Sequence, residues 1–120
     1  MDSIIINATE DTPGVRLDAA GNIFEISGRS LPEDVTKFYK PILDWLEEYA
    51  KSPNASTVFN FKLSYFNTAS SKIILDILMK LEGVNNIAIK WHYASDDEDM
   101  MEAGEEYADI VDVPIELVEY

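Results

Sequence analysis

Cysteine is absent from the 120-residue chain, and histidine occurs only once. Disulfide bonds, thiolate metal sites and cysteine nucleophiles are therefore excluded. The single histidine, His92, has no serine or cysteine motif near it, so a catalytic triad is not supported. A glycine-rich phosphate loop and a nucleophile elbow are also missing. These absences favour a non-catalytic protein over an enzyme.

Basic residues are few. Nine lysines and arginines stand against 23 aspartates and glutamates, which gives a formal net charge of −14. A surface this acidic repels the phosphates of nucleic acids and of anionic lipids, so we expect neither a nucleic-acid nor a membrane partner. It favours rapid association with a basic protein surface instead.

Four consecutive acidic residues, 96–99, are the only segment that suggests a metal site. Carboxylate oxygens of this kind can bind Mg²⁺ or Ca²⁺. The segment lacks the glycine and the ligand spacing of a calcium-binding loop, and an acidic run before a helix is usually solvated. We therefore expect no metal and no cofactor.

Long apolar segments are missing as well. No run approaches the ~18 apolar residues of a membrane span, and the start, "MDSIIINATEDTP", lacks the basic flank of a signal peptide. We therefore expect a cytoplasmic protein. The length and the composition, 47% hydrophobic and 27% charged, predict one globular domain over residues 1–120.

The hydrophobic pattern predicts strands that alternate with helices. Alternating or continuous apolar runs indicate strands at 3–8, 15–18, 22–28, 56–63, 85–93 and in the final segment "VPIELVEY". Helical periodicity indicates helices from about Ser30 to Ser52, at about 69–82, and at 96–111 with an interruption at Gly104. The predicted fold class is α/β, with a mixed β-sheet and helices packed on it.

Proline at position 41 lies inside the first predicted helix, and Pro32 lies near its expected start. Pro41 cannot donate a hydrogen bond to the carbonyl of Lys37. We therefore expect a kink or a break into two pieces at this position.

Hydroxyl and amide side chains gather where a predicted strand becomes the second helix, in "NTASSKIILDIL" (67–78). Asn67 or Thr68 is expected to cap the helix, because a side-chain oxygen there accepts a hydrogen bond from a free amide. Capping is worth about 1 kcal/mol and explains these residues without any function. The alternative interpretation is that a hydroxyl is held within reach of another protein.

A helical projection divides the second helix into two stripes. One arc must be the core face, and it contains Ile73, Ile74, Ile77, Leu78 and Leu81. Thr68, Lys72, Leu75 and Met79 follow one another at steps of four, three and four residues and form the second stripe. This stripe has the composition of a docking surface. Packing of Leu75 and Met79 under the first helix would explain it equally well.

Three segments, "LPED…FYKPILDWLEEY", "SYFNTASSKIILDILMKLE" and "IKWHY", resemble the SiaC family of bacterial regulatory phosphoproteins. The resemblance runs from about Thr12 to the last strand, and its most specific parts are the junction and the strand end "WHY". These proteins are similar in fold and signalling logic to STAS-type anti-anti-sigma factors, so the resemblance implies a STAS-like domain. The chain differs from the family in two places: it has Ala69 where a serine is common, and it has a more acidic segment after Tyr93.

The resemblance also implies a phosphorylation switch. In that family the threonine of the junction is phosphorylated by a dedicated kinase and dephosphorylated by a partner phosphatase, and the unmodified protein binds and activates a diguanylate cyclase. The matching position is Thr68, so the implied output is synthesis of cyclic-di-GMP. Together with the docking stripe, the resemblance predicts a partner-binding surface that consists of Asn67, Thr68, Ser70, Ser71, Lys72, Leu75 and Met79.

Two other functions agree with the residues. The first is that of an anti-anti-sigma factor acting on an anti-sigma kinase. The second is that of a small enzyme or ligand-binding domain that uses the strand-end surface around Trp91, His92 and Tyr93. A deep pocket there, with polar groups of shifted pKa, would favour the second alternative.

Overall fold

The computed structural model describes residues 1–120 and contains six strands and three helices. The strands are β1 (Ile4–Ile6), β2 (Gly14–Asp18), β3 (Ile23–Ser30), β4 (Thr57–Phe66), β5 (Ile87–Tyr93) and β6 (Ile115–Glu119). The helices are α1 (Val35–Lys51), α2 (Thr68–Leu81) and α3 (Glu98–Ile110). The predicted α/β class is confirmed. None of the three helices combines the length and the apolar character that crossing a membrane requires.

The six strands form one mixed sheet in the order in which they occur along the chain. β1, β2 and β3 pair antiparallel, whereas β3, β4, β5 and β6 pair parallel. Each helix connects two neighbouring parallel strands. The ends of β3, β4 and β5 therefore meet the starts of α1, α2 and α3 at one edge of the sheet, and the candidate site lies at that edge.

One face of the sheet is buried and the other is not. In β4, for example, Phe59, Phe61 and Leu63 are buried, while the intervening Val58 and Lys62 are exposed. The buried face packs against the helices in a single core cluster of 24 residues. That cluster includes all five α2 residues of the predicted core arc. The apolar faces of the strands, which repeat every two residues, and of the helices, which repeat every 3.6 residues, thus form one apolar layer.

The first helix starts later than the sequence predicts. α1 begins at Val35, and Asp34 caps it by accepting a hydrogen bond from the Lys37 amide at 3.0 Å. Ser30 instead ends β3 and is buried. Of the kink or break predicted at Pro41, the break is absent, because α1 is continuous from Val35 to Lys51. Pro41 lies on the exposed side of α1, where water can satisfy a carbonyl that lacks its helical partner.

Gly104 does not interrupt α3, which is continuous over its 13 residues. A Cβ atom at this position would lie 2.5 Å from Cδ1 of Trp91 and 2.6 Å from Cδ2 of Leu117. The glycine therefore allows α3 to lie directly on β5 and β6. Its role is close packing rather than helix termination.

Candidate functional site

The junction between β4 and α2 consists of one residue, Asn67, which is the N-cap of α2. Its side-chain oxygen accepts a hydrogen bond from the Ser70 amide at 2.9 Å. Its own amide donates to the Ser30 carbonyl at 3.2 Å. Of the two predicted caps, Asn67 is therefore the one that the structure contains, and Thr68 is the first residue of the helix.

A chain of buried hydroxyl groups lies beneath this turn. The Oγ atom of Ser30 donates to the Oγ atom of Ser70 at 2.9 Å, and the Tyr39 hydroxyl lies 2.5 Å from the same Ser30 oxygen. All three residues are completely buried. Burial raises the pKa of Tyr39 to about 12, so its hydroxyl stays protonated and can donate. The predicted contact of Ser70 with a partner is contradicted by its burial, because its side chain faces the core.

Ser71 connects α2 to α3. Its hydroxyl donates to the Thr68 carbonyl at 2.6 Å, and its own carbonyl accepts a hydrogen bond from the Tyr107 hydroxyl at 2.7 Å. Burial raises the pKa of Tyr107, which keeps this donor protonated. The first turn of α2 is thus held by Asn67, Ser70 and Ser71.

Thr68 lies on the outer side of the same turn and is exposed. None of the hydrogen bonds that hold the turn uses its hydroxyl group. A change at this hydroxyl therefore leaves the capping bonds and the buried hydroxyl chain in place.

The predicted docking stripe divides into an exposed part and a half-buried part. Lys72 is exposed and takes part in none of the four salt bridges of the molecule, and Met79 is 54% exposed. Leu75 is half-buried and faces Ala103 and Ile110 of α3 across a groove. Leu75 therefore packs toward α3 rather than under α1, and Met79 shares a hollow with Leu43 of α1 without being buried beneath that helix.

The second candidate surface is divided by the sheet. Trp91 is completely buried, and its indole Nε1 donates to the Met100 carbonyl at 2.9 Å. His92 points to the opposite face, where its Nε2 lies 2.9 Å from Oδ1 of Asn60. Neighbouring residues of a strand point to opposite faces, so Trp91, His92 and Tyr93 do not form one pocket.

Comparison with known proteins identifies the family. The profile of the SiaC family regulatory phosphoproteins matches residues 6–120. The chain belongs to the SiaC family. A curated Pseudomonas aeruginosa protein is 27% identical, and the alignment covers 98% of this chain and 96% of that protein.

Solved structures of SiaC family members have the same fold. The crystal structure of apo-SiaC from Pseudomonas aeruginosa has a TM-score of 0.87 and 26% identity, covering 98% of this chain and 99% of that one. A second crystal structure contains the diguanylate cyclase SiaD in complex with its activator SiaC from the same organism. Its matching chain has a TM-score of 0.88 and 25% identity, again covering 98% and 99%.

Sequence reasoning missed two parts of the site. The sequence pattern places Ser30 at the start of the first helix and does not indicate its contact with Tyr39, although Ser30 points inward like Phe24 and Ile26 of the same strand. Its even spacing from those two residues was the available signal. The groove between α2 and α3 depends on the position of α3 relative to α2, and the periodicity of one helix does not contain this information.

Proposed function

We propose that this chain is a non-catalytic regulatory protein that exchanges partners when Thr68 is phosphorylated, and that its effector is a diguanylate cyclase. The main support for the proposal is that Thr68 is exposed and that its hydroxyl takes part in none of the hydrogen bonds that hold the first turn of α2. A kinase and a phosphatase acting on Thr68 complete the switch, which operates in the cytoplasm.

The free energies favour a switch over unfolding. A phosphate on Thr68 adds a charge of about −1.5 to −2 at the N-terminus of α2. The helix dipole stabilises an anion there by about 0.3–1 kcal/mol, so the fold tolerates the modification. Burial of the dianion in an interface without a cationic partner costs several kcal/mol, and each 1.4 kcal/mol changes the affinity about tenfold. The interface is therefore affected more than the fold.

Lys72 also responds to the phosphate, and as a cationic partner it offsets part of the cost of burial. It follows Thr68 by four residues, and an anion placed four residues before a lysine on a helix forms the favourable orientation of an ion pair. Lys72 has no salt-bridge partner in the unmodified protein. Phosphorylation would give it one and would withdraw its charge from a bound partner. The proposed contact surface consists of Asn67, Thr68, Ser71, Lys72, Leu75 and Met79.

The choice of a diguanylate cyclase rests on family membership. In the complex from Pseudomonas aeruginosa, SiaC is the activator of the diguanylate cyclase SiaD. This chain matches that SiaC over nearly its whole length with the same fold. We infer an effector of the same class here.

Phosphosite mapping tests the proposal. Protein isolated from its own cells should carry a single phosphate, located on Thr68 by fragmentation of the intact protein. Thr68→Ala should abolish the modification. Thr36→Ala is the matched control, because Thr36 is also an exposed threonine in the first turn of a helix. A phosphate on Ser71, or an unmodified protein that captures an anti-sigma kinase and no cyclase, contradicts the proposal.

A further inference from the structure

Methionine supplies all the sulfur of this chain, because cysteine is absent. Peroxides oxidise cysteine thiolates and methionine thioethers, so only the thioethers are available here. Oxidation of sulfur is therefore confined to four positions, Met1, Met79, Met100 and Met101.

The four methionines differ in how far solvent reaches them. Met100 is 5% exposed and belongs to the core, and Met101 is half-buried. Met79 is 54% exposed, and Met1 is exposed at the end of the chain. Oxidation of a sulfur-containing side chain follows its exposure. Met79 is therefore the most accessible methionine of the three helices.

The surroundings of Met79 leave room for a small oxidant. An open hollow of about 420 Å³ lies between α1 and α2 and is lined by Leu43, Asp76, Met79 and Lys80. A water molecule occupies about 30 Å³ in the liquid, so the hollow admits a peroxide molecule with its hydration shell. The two indole rings, the next most oxidisable groups, lie inside the protein, because Trp45 and Trp91 are both buried.

The fold does not depend on the Met79 side chain. Met79 belongs neither to the core cluster nor to the partly buried residues packed against it, whereas Leu75 and Leu78 of the same helix belong to one or the other. An oxygen atom added to Met79 therefore enters solvent rather than the core. Such a change alters the surface and leaves the packing of α2 in place.

We propose that Met79 is a reversible oxidation site, at which a peroxide converts the thioether to a sulfoxide and thereby weakens binding of the effector. This inference rests on the proposed function, which places Met79 in the contact surface. Hydrogen peroxide transfers one oxygen atom to the sulfur: its O–O bond breaks, an S–O bond forms and water leaves. The sulfur loses two electrons and the peroxide gains them. A methionine sulfoxide reductase that uses a thiol reductant reverses the step.

The sulfoxide acts on the interface through desolvation. A thioether is apolar and adapts its shape to a partner, whereas a sulfoxide is polar and must lose water when it is covered. Burial of a polar group without a hydrogen bond opposes association. Met79 follows Thr68 by eleven residues, about 16 Å along the helix, so oxidation acts at the other end of the contact surface from the phosphate. The two modifications are thus separate inputs to one surface.

Peroxide treatment of the full-length chain tests the inference. Peptide mass mapping of the folded protein should find the sulfoxide on Met79 before Met101, and none on Met100. After removal of the peroxide, calorimetry with the diguanylate cyclase of the same organism compares each protein with its own untreated form. Binding should become about tenfold weaker for the wild type and should recover after treatment with methionine sulfoxide reductase.

Two leucine variants assign the effect to one sulfur. Leucine has nearly the volume of methionine and has no sulfur to oxidise. The affinity of Met79→Leu should change less than about twofold on peroxide treatment. Met101→Leu is the matched control on α3, outside the proposed contact surface, and it should lose about tenfold like the wild type. The thermal midpoint of the treated wild type should remain nearly constant, because Met79 lies outside the core.

Each other result overturns the inference in a recognisable way. A wild type that binds equally well with Met79 fully oxidised shows that the sulfoxide has no effect on the interface, and the proposed function survives. Equal losses for the wild type and Met79→Leu assign the effect to another residue, and a large fall in the thermal midpoint assigns it to the fold. Failure of the untreated wild type to bind the cyclase contradicts the proposed function together with the oxidation site.

Discussion

The hydroxyl oxygens of Ser30 and Ser70 lie 2.9 Å apart in the interior and join the end of β3 to the first turn of α2. Two residues before Ser70, Thr68 is exposed on the outer side of the same turn. One helical turn therefore has a fixed inner side and a free outer side. This division allows a modification to change the surface without loss of the fold.

Removal of the inner hydroxyl should destabilise the protein, and removal of the outer one should not. Ser70→Ala leaves the buried Ser30 and Tyr39 hydroxyls with one acceptor fewer, so we expect a loss of about 1–3 kcal/mol in the free energy of unfolding. Thr68→Ala removes an exposed hydroxyl from the same turn and should change it by less than about 0.5 kcal/mol. Urea denaturation measures both. Equal losses would contradict the division of the turn into two sides.

The cap of α2 gives a second prediction. Asn67→Ala removes the acceptor of the Ser70 amide and should lower the free energy of unfolding by about 1 kcal/mol. Asn67→Asp retains a capping oxygen at the positive end of the helix dipole and should retain most of the stability. Denaturation of the two variants at low salt compares them. An Asp variant as unstable as the Ala variant would show that the side-chain bond does not cap α2.

Close packing at Gly104 gives a third prediction. In Gly104→Ala the new methyl group overlaps Trp91 and Leu117, which should cost about 1–3 kcal/mol. The higher helix propensity of alanine recovers at most about 1 kcal/mol, so the net effect is destabilising. Gly83→Ala is the control, because its new Cβ has no neighbour closer than 3.4 Å. Thermal unfolding followed by tryptophan fluorescence checks both, and a stabilised Gly104→Ala would refute the packing role.

Much of the fold could be predicted from the sequence because periodicity reports burial. The alternation in β4 and the apolar arc of α2 each identify their buried side, and both are confirmed. Residues that usually interrupt a helix are less reliable indicators of where a helix ends. Pro41 and Gly104 both suggested interruptions, but Pro41 lies on the solvent side of α1 and Gly104 allows α3 to approach Trp91. Local propensity does not show which way a residue faces after packing.

The candidate site could be predicted only in part, for a similar reason. Thr68 and Met79 belong to one helix that Asn67 caps, so spacing alone indicates their relationship. Ser30 and Tyr39 reach the same site from β3 and α1, and their contacts depend on the tertiary structure. Long-range pairings of hydroxyl groups leave no periodic signal in a sequence.

The open face of the sheet contains the only histidine, and its titration gives a fourth prediction. Partial burial, followed by the positive charges of Lys62 and Lys90, lowers the pKa of His92 from 6.5, while Glu25 and Glu116 oppose this shift. The pKa of His92 is thus lower in the folded chain than in the unfolded chain. Between these two pKa values the unfolded chain binds more protons than the folded one. The contribution of His92 to stability is therefore fully present above its unfolded pKa and is lost as the pH falls below it.

Nuclear magnetic resonance titration of the His92 ring should give a pKa below 6.5. The difference in the free energy of unfolding between the wild type and His92→Gln should move against the wild type as the pH falls from about 7.5 to about 5.5. The use of a difference removes the contribution of the many carboxylates, which both proteins share. A pKa at or above the ordinary value would contradict the predicted direction.

Calorimetric titration of the diguanylate cyclase with unmodified protein, and with protein phosphorylated only at Thr68, tests the proposed switch most directly. We predict that the phosphate weakens binding by at least about tenfold, because a dianion must then be dehydrated at the contact. The thermal midpoint of the free protein should remain nearly constant, since Thr68 stands outside the bonds that hold its turn. Equal affinities of the two forms for the cyclase would contradict the switch.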